Sequence, residues 1–475
     1  MKTLAKFSFL LMLVITISCN SSSNDTIKFE TDDQGFIILS NEEIEDIVKR
    51  SYQYVAMYNV NQKMALAESG MTTRGYNKGL KNTKLLDHTA KFISRPNNDV
   101  LYQTAMLDLR KDPIILQFPA IDSKYVSLMV TGYDHYVNIP LSTVNGDFDK
   151  PTSILFYTKR TENYNGEDIE GIDKKMELTG DFNSAVLRVM PHANEPEKYQ
   201  KIIDQINNIK GVSLSEYLGK PKLPPEEVDF PAYGATDADI FENNLLEVMQ
   251  FIFNHTTFDP DFKLDQAVLD RYEKLGVVPG KKFDPSTTAK IDGEKFKEVS
   301  LKVKKESFAI FSDPKQSKKL STTLFLPKGS AGLESLLVPS IVGPIGQPAK
   351  EALYPPVLTE DGKPINAMND YKISLSKEEM PPAKAFWSFT LYEKENGFFI
   401  PNDHKKYSVG ENSGMKLNDD GGIDIYISAE KPDGVPAENW LPINRADLEM
   451  DVILRIYQPD LEKIKTWKSP TAVKI

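Results

Sequence analysis

Cysteine is nearly missing: Cys19 is the only one in 475 residues. One thiol excludes an intrachain disulfide and any metal centre built from several cysteines. Histidine is scarce too, and His88, His135, His192, His255 and His404 stand far apart, with no ligand pair at metal-binding spacing. No metal is expected. Basic residues do not prevail: 57 Lys and Arg face 68 Asp and Glu, for a formal charge of −11. With no basic run, the phosphate neutralisation that nucleic-acid binding requires is lacking, so nucleic acid is excluded as a partner. A Gly-x-Ser-x-Gly elbow, a phosphate-cradling loop and a dinucleotide fingerprint are also missing, and no cofactor is expected. After residue 17 no apolar run nears the roughly 20 residues of a spanning helix.

What is present begins at the N-terminus. Lys2 and Lys6 precede an apolar run from Phe7 to Ile17, and Ser18 stands before Cys19. A charged start, a short apolar core and a small residue form a secretory signal, and a cysteine directly after it resembles a bacterial lipobox. Residues 1–18 are therefore expected to be a signal peptide. Cys19 is the expected lipidation site, and residues 19–39 a polar tether to the membrane. The expected location is the bacterial cell envelope, on the periplasmic or surface side. The plainer alternative is an ordinary signal peptide with an incidental cysteine.

The remaining chain has ordinary globular balance, 40% hydrophobic and 26% charged, with 30 Pro and 26 Gly to punctuate it. Ser40 followed by Glu43 forms a capping box, and Ile44, Ile47, Val48, Val55 and Tyr58 recur at helical spacing. Short apolar runs at 114–118, 125–131, 154–158 and 185–190 read as strands between turns. Residues 40–195 are thus a helix plus a β-sandwich. Helical spacing takes over from Pro196, through Ile202 and Ile206, and again through Phe241, Val248 and Val268, which defines a helical region at 196–310. Strands return at 385–392, 423–428 and 450–457, so 311–475 reads as a second β unit, entered through an irregular Gly/Pro-rich passage at 329–356. The fold expected is mainly β with a helical middle.

Two sets of residues resemble known families. Pro96-Asn97-Asn98-Asp99-Val100-Leu101-Tyr102, Leu107-Asp108-Leu109, Pro113, Pro119 and Tyr125 are similar to domain of unknown function 1254. Tyr354, Asp361-Gly362, Tyr371, Phe386-Trp387-Ser388, Tyr407-Ser408, Asn439-Trp440-Leu441-Pro442 and Arg455-Ile456-Tyr457-Gln458-Pro459 resemble domain of unknown function 1214. The two occur together in this order in bacterial proteins. The resemblance implies an immunoglobulin-like N-terminal sandwich, a helical middle and a C-terminal jelly roll, and no settled catalytic activity.

Few residues carry chemistry of their own. Asn97, Asn98 and Asp99 can close a turn on nearby backbone N–H groups, or present amide and carboxylate groups to a ligand. Tyr102 adds a ring and a hydroxyl. His135 follows a strand end, where a binding residue or a structural hydrogen-bonder can sit. Arg188 and Arg455 lie on strands and need partners if buried; Asp99 suits Arg455 or Arg188 by charge. Asn439-Trp440 precedes Pro442 in a loop that can line a cleft. The expected cleft lies between the β units, with Asn98, Asp99, Tyr102 or His135 on one side and Tyr407, Asn439 or Trp440 on the other, and Asn97 and Arg188 as further ligand-binding candidates. Two readings follow: a binding or accessory lipoprotein taking a small polar ligand there, or a hydrolase using Asp99 and a second carboxylate as acid and base. Oligomeric state is open.

Overall fold

The computed structural model describes residues 29–68, 71–91 and 93–475; the expected signal peptide and Cys19 lie outside the described residues. The first helix, α1 (Asn41–Leu66), starts where the capping box puts it. Ser40 Oγ accepts the Glu43 N–H at 3.2 Å, and the Glu43 carboxylate accepts the Ser40 N–H at 2.9 Å. Two orphan donors of the first turn are thereby satisfied. The helix buries Ile44, Ile47, Val48, Tyr52, Val55 and Tyr58 among later helices and so becomes the centre of a helical layer.

The N-terminal β unit consists of two facing sheets. One has the order β1 (Lys78–Lys81), β2 (Leu101–Asp108), β8 (Phe182–Val189), β4 (Val126–Gly132), β5 (Asn138–Ser142), all antiparallel. The other runs β7 (Lys174–Glu177), β6 (Thr152–Tyr157), β3 (Ile114–Phe118), β9 (Lys210–Ser213). Between them lie Leu101, Leu116, Phe118, Leu128, Ile154, Phe156 and Leu187, closed at one side by Ile202 and Ile206 of α2 (Pro196–Asn207). Strand β9 falls in the span expected to be helical; it pairs with β3 and completes the second sheet.

The short helix α3 (Leu214–Tyr217) ends in a proline-rich link whose residues 218–227 are exposed. Helices α4 (Asp237–Asn243), α5 (Leu245–Asn254), α6 (Lys263–Glu273) and α7 (Gly293–Ser312) follow. Phe241, Val248, Phe253, Tyr272 and Phe296 from these helices share the core of α1. Residue 310, the expected end of the helical span, lies inside α7, and α8 (Pro314–Leu320) and α9 (Leu333–Val342) follow before the C-terminal strands begin. The passage read as irregular thus contains a helix. Pro339 sits inside α9, where it removes one backbone donor. The burial of Leu336, Val338 and Val342 holds that helix in place despite the lost bond.

The C-terminal β unit repeats the two-sheet plan. Short strands β10 (Ala352–Leu353), β11 (Pro356–Val357) and β12 (Ile365–Asn366) pair with β18 (Glu449–Pro459). That strand pairs with β14 (Ala383–Glu393), which pairs with β15 (Ser408–Gly410). Opposite them, β13 (Tyr371–Leu375) lies between β16 (Ile423–Ser428) and β19 (Val473–Lys474), with β17 (Trp440–Pro442) on the far side of β16. Ile373, Ile425, Ile427, Trp387, Phe389, Leu454 and Ile456 fill the space between the sheets. The architecture is a mixture of helices and several antiparallel sheets, with a helical layer between the β units in the chain.

Candidate functional site

Period-two alternation gives each principal sheet a second face. On β18, Val452, Leu454 and Ile456 enter the core of their own unit, while Ile453, Arg455 and Tyr457 turn away from it and line a cavity. On β8, Ala185, Leu187 and Val189 enter the N-terminal core, and Val186 and Arg188 face the same cavity. Tyr102 and Thr104 of β2 join them, Tyr102 lying directly opposite Arg188 across the strands. The cavity therefore forms where the outer faces of the two β units meet. Helical residues close it: Val60 and Met64 of α1, Phe311 of α7, Leu320 of α8, and Val338, Pro339 and Val342 of α9. Its volume is about 180 Å³. Phe325 inserts from the loop before α9, in a left-handed backbone conformation with φ of 57°. Only glycine fits at Gly346 beside it, since an added Cβ would stand 2.1 Å from that ring.

Apolar side chains make up most of the wall, and three arginines line it, Arg95, Arg188 and Arg455, of which Arg95 is paired with Asp451. Arg188 is 3% exposed and Arg455 is 4% exposed. Arg188 donates to the Ile345 carbonyl at 2.7 Å, lies 3.7 Å from Met129 Sδ and stands over the Tyr102 ring at 5.5 Å. Arg455 donates through Nη2 to the Tyr392 hydroxyl at 2.6 Å and to the Arg95 carbonyl at 3.2 Å. Its Nη1 is buried without a hydrogen-bond partner. Tyr457 stacks on Phe386 with ring centroids 4.1 Å apart and accepts a hydrogen bond from Asn97 Nδ2. Tyr102 and Tyr457 both act electrostatically on both arginines.

The expected site residues divide between the cavity and the framework around it. Asn97, Tyr102 and Arg188 line the cavity. Asn97 also closes its turn, its Oδ1 accepting the Asp99 N–H at 2.6 Å. Asp99 is 1% exposed and lies behind the wall. Ser388 donates to its carboxylate, and Asn412 Nδ2 donates to its carbonyl at 2.5 Å. Burial raises its pKa, opposed by Arg455 and by hydrogen bonds from Ser388 and Ser408. Asn98 is buried with Oδ1 unpartnered, outside the lining. His135 lies behind α9, with Nε2 2.8 Å from the Pro344 carbonyl and Nδ1 2.8 Å from Ser340 Oγ. Burial holds its pKa down at about 4.

On the opposite side, Tyr407, Asn439 and Trp440 do not line the cavity. Tyr407 is bonded to His88 Nδ1 at 2.7 Å. Asn439 clamps a turn, donating to the carbonyls of Lys416 and Asp424 at 2.7 and 3.1 Å and accepting the Lys416 N–H at 2.8 Å. Trp440 donates to the Ser428 carbonyl at 3.1 Å. Their places are taken by Tyr354, Ile453, Arg455 and Tyr457. Strand alternation alone puts Arg455 and Tyr457 on one face, and that was the available signal. Among the described residues, the lining holds no Asp, Glu, His, Lys or Cys, and no group of acidic residues, His and Cys is placed to hold a metal.

The fold and this cavity define a class of protein in which two β units and a helical layer line a shared cavity. Residues 76–208 match the family described as "Protein of unknown function (DUF1254)", and residues 351–461 match "Protein of unknown function (DUF1214)". The chain belongs to the family that carries these two parts in that order. The crystal structure of the VPA0106 protein from Vibrio parahaemolyticus is similar over 92% of this chain and 100% of its own, at 22% identity and a TM-score of 0.67. That likeness is one of fold. A crystal structure of an uncharacterized protein from Burkholderia cenocepacia aligns over 91% of this chain and 95% of its own, at 13% identity and a TM-score of 0.42. No curated protein matches the chain.

Proposed function

We propose that this chain is a cell-envelope lipoprotein, anchored through Cys19, that binds a small ligand in the chamber between its β units. One observation carries the binding reading: the outer faces of both β units and four helices line a mostly apolar cavity of about 180 Å³. Burying an apolar ligand body there releases it from water, and the fewer polar groups of the wall would set its orientation. The walls suit a ligand with an apolar body, where the Asn-Asn-Asp turn suggests a small polar one. Hydrolysis by paired carboxylates gains no support, since Asp99 is bonded to Ser388 behind the wall and no described lining residue is acidic. In finer detail, the two facing sheets of the N-terminal unit favour an immunoglobulin-like sandwich, and those of the C-terminal unit a jelly roll.

The test is calorimetric titration of the intact protein with 1-octanol, a neutral probe with an apolar body. Saturable one-to-one binding is expected, and Leu324→Trp, which fills the chamber from its loop, should abolish it. A folded wild-type protein that gives no saturable heat overturns the proposal.

A further inference from the structure

Resting on that binding reading, we infer that the chamber takes a monocarboxylate with an apolar body, its carboxylate held by Arg188 and Arg455 and completed by the Tyr457 hydroxyl. The argument begins with an imbalance of donors. A guanidinium carries five N–H donors and no acceptor. Arg188 gives one hydrogen bond to a carbonyl and contacts a thioether sulfur. Arg455 uses Nη2 for two acceptors and leaves Nη1 buried and unpartnered while lining the chamber. Tyr457 already accepts from Asn97, so its own hydroxyl hydrogen remains to be donated.

Among the described residues neither arginine has a carboxylate oxygen within 4.0 Å. The two nearby acids, Asp99 and Glu351, act on Arg455 and Arg188 only through space, without an ion-pair contact. Asp99 accepts from Ser388, and Glu351 accepts through Oε2 from Ser142 Oγ at 2.8 Å and from the Tyr125 hydroxyl at 3.3 Å, its Oε1 being buried without a hydrogen-bond partner. Burial also raises the pKa of both acids, which weakens them as counter-charges. A buried cation without a paired anion is costly, and a native structure that keeps two in the wall of a cavity has a role for them. The guanidinium fork matches a planar carboxylate in two parallel hydrogen bonds, which a hydroxyl or an amine cannot form.

The apolar wall sets the remainder of the ligand. Met64, Val186, Leu320, Phe325, Val342 and Ile453 offer no polar side-chain group. A cavity of about 150 Å³ holds benzene, so this one suits a body on the order of one aromatic ring or a medium-length alkyl chain.

Octanoate and 1-octanol share that body and differ in charge at the head, so the wild-type protein alone can decide. Octanoate is expected to bind at least about tenfold more tightly than 1-octanol. Arg455→Met and Arg188→Met should each remove that preference while the neutral alcohol still binds. If a Met variant fails to fold, Arg455→Lys, which keeps charge but loses the fork, should reduce octanoate affinity and spare octanol. Equal binding of acid and alcohol by the wild type overturns the carboxylate inference and leaves the chamber reading standing. Binding of neither, with Leu324→Trp also silent, overturns both.

Discussion

Ser388 of β14 donates its hydroxyl to the Asp99 carboxylate, tying the N-terminal β unit to the C-terminal one at the back of the chamber. Asn412 adds a second tie through the Asp99 carbonyl. The residue that looks most like a catalytic acid in the sequence is therefore a latch between units.

Removing the latch should cost stability. Asp99→Ala strands the hydroxyls of Ser388 and Ser408 and takes away the acid nearest Arg455, so a loss of about 1–3 kcal/mol is expected, with a smaller loss for Asp99→Asn. Thermal melts of the three proteins check this. A melting temperature unchanged in Asp99→Ala would contradict the latch.

The contrast between Asp99 and Arg455 shows what a sequence can carry. The start of α1 was legible because Ser40 and Glu43 act on each other three residues apart, and strands such as β14 and β18 were legible from alternation. Those are local signals. Arg455 and Tyr457 share a face by the same alternation, yet which surface lies opposite that face depends on contacts across more than 250 residues, such as Asn97 with Tyr457. Tyr407 and Asn439 are among the sequence candidates and Tyr457 is not, although each is a polar residue on or near a strand. Helix α9 was hidden because Gly and Pro flank it and Pro339 interrupts it, while its burial, which stabilises it, is a property of the tertiary structure.

Buried acids should give this protein a distinctive pH response. Asp134 is 2% exposed, accepts from Thr179 Oγ1 at 2.6 Å through one oxygen and leaves the other unpartnered. Burial raises its pKa, so the folded state holds the proton more tightly than the unfolded one. Its contribution to stability is present below the ordinary carboxylate range near about 4 and is lost as pH rises through the raised value. Asp134→Asn mimics the protonated form, and its stability relative to wild type should increase between pH 4 and pH 8. Denaturant melts across that range are the measurement, and a flat difference would refute it.

His135 should behave in the opposite sense. Burial depresses its pKa to about 4, so its stabilising contribution is present above the usual imidazole value of about 6.5 and is lost as pH falls towards the folded value. Proton NMR of the imidazole should show no titration between pH 8 and pH 5.5. A midpoint near the usual value would mean that the ring is not enclosed between Ser340 and Pro344.

The anchor is testable apart from the chamber. With Cys19→Ala, incorporation of labelled fatty acid should fall to background and the protein should leave the membrane fraction. Equal labelling of variant and wild type would end the lipoprotein proposal without touching the binding one.

Asn439 separates framework from site most directly. Its side chain is 2% exposed and makes three hydrogen bonds to the backbone of Lys416 and Asp424, so Asn439→Ala leaves two partly buried carbonyls and an N–H without those partners. A loss of about 1–3 kcal/mol in stability is expected. Because the residue does not line the chamber, octanoate affinity in the folded fraction should stay at the wild-type value. Calorimetry below the lowered melting temperature measures the affinity, and the melt measures the stability. An unchanged melt with weakened octanoate binding would return Asn439 to the ligand site and move that site toward the β16–β17 edge.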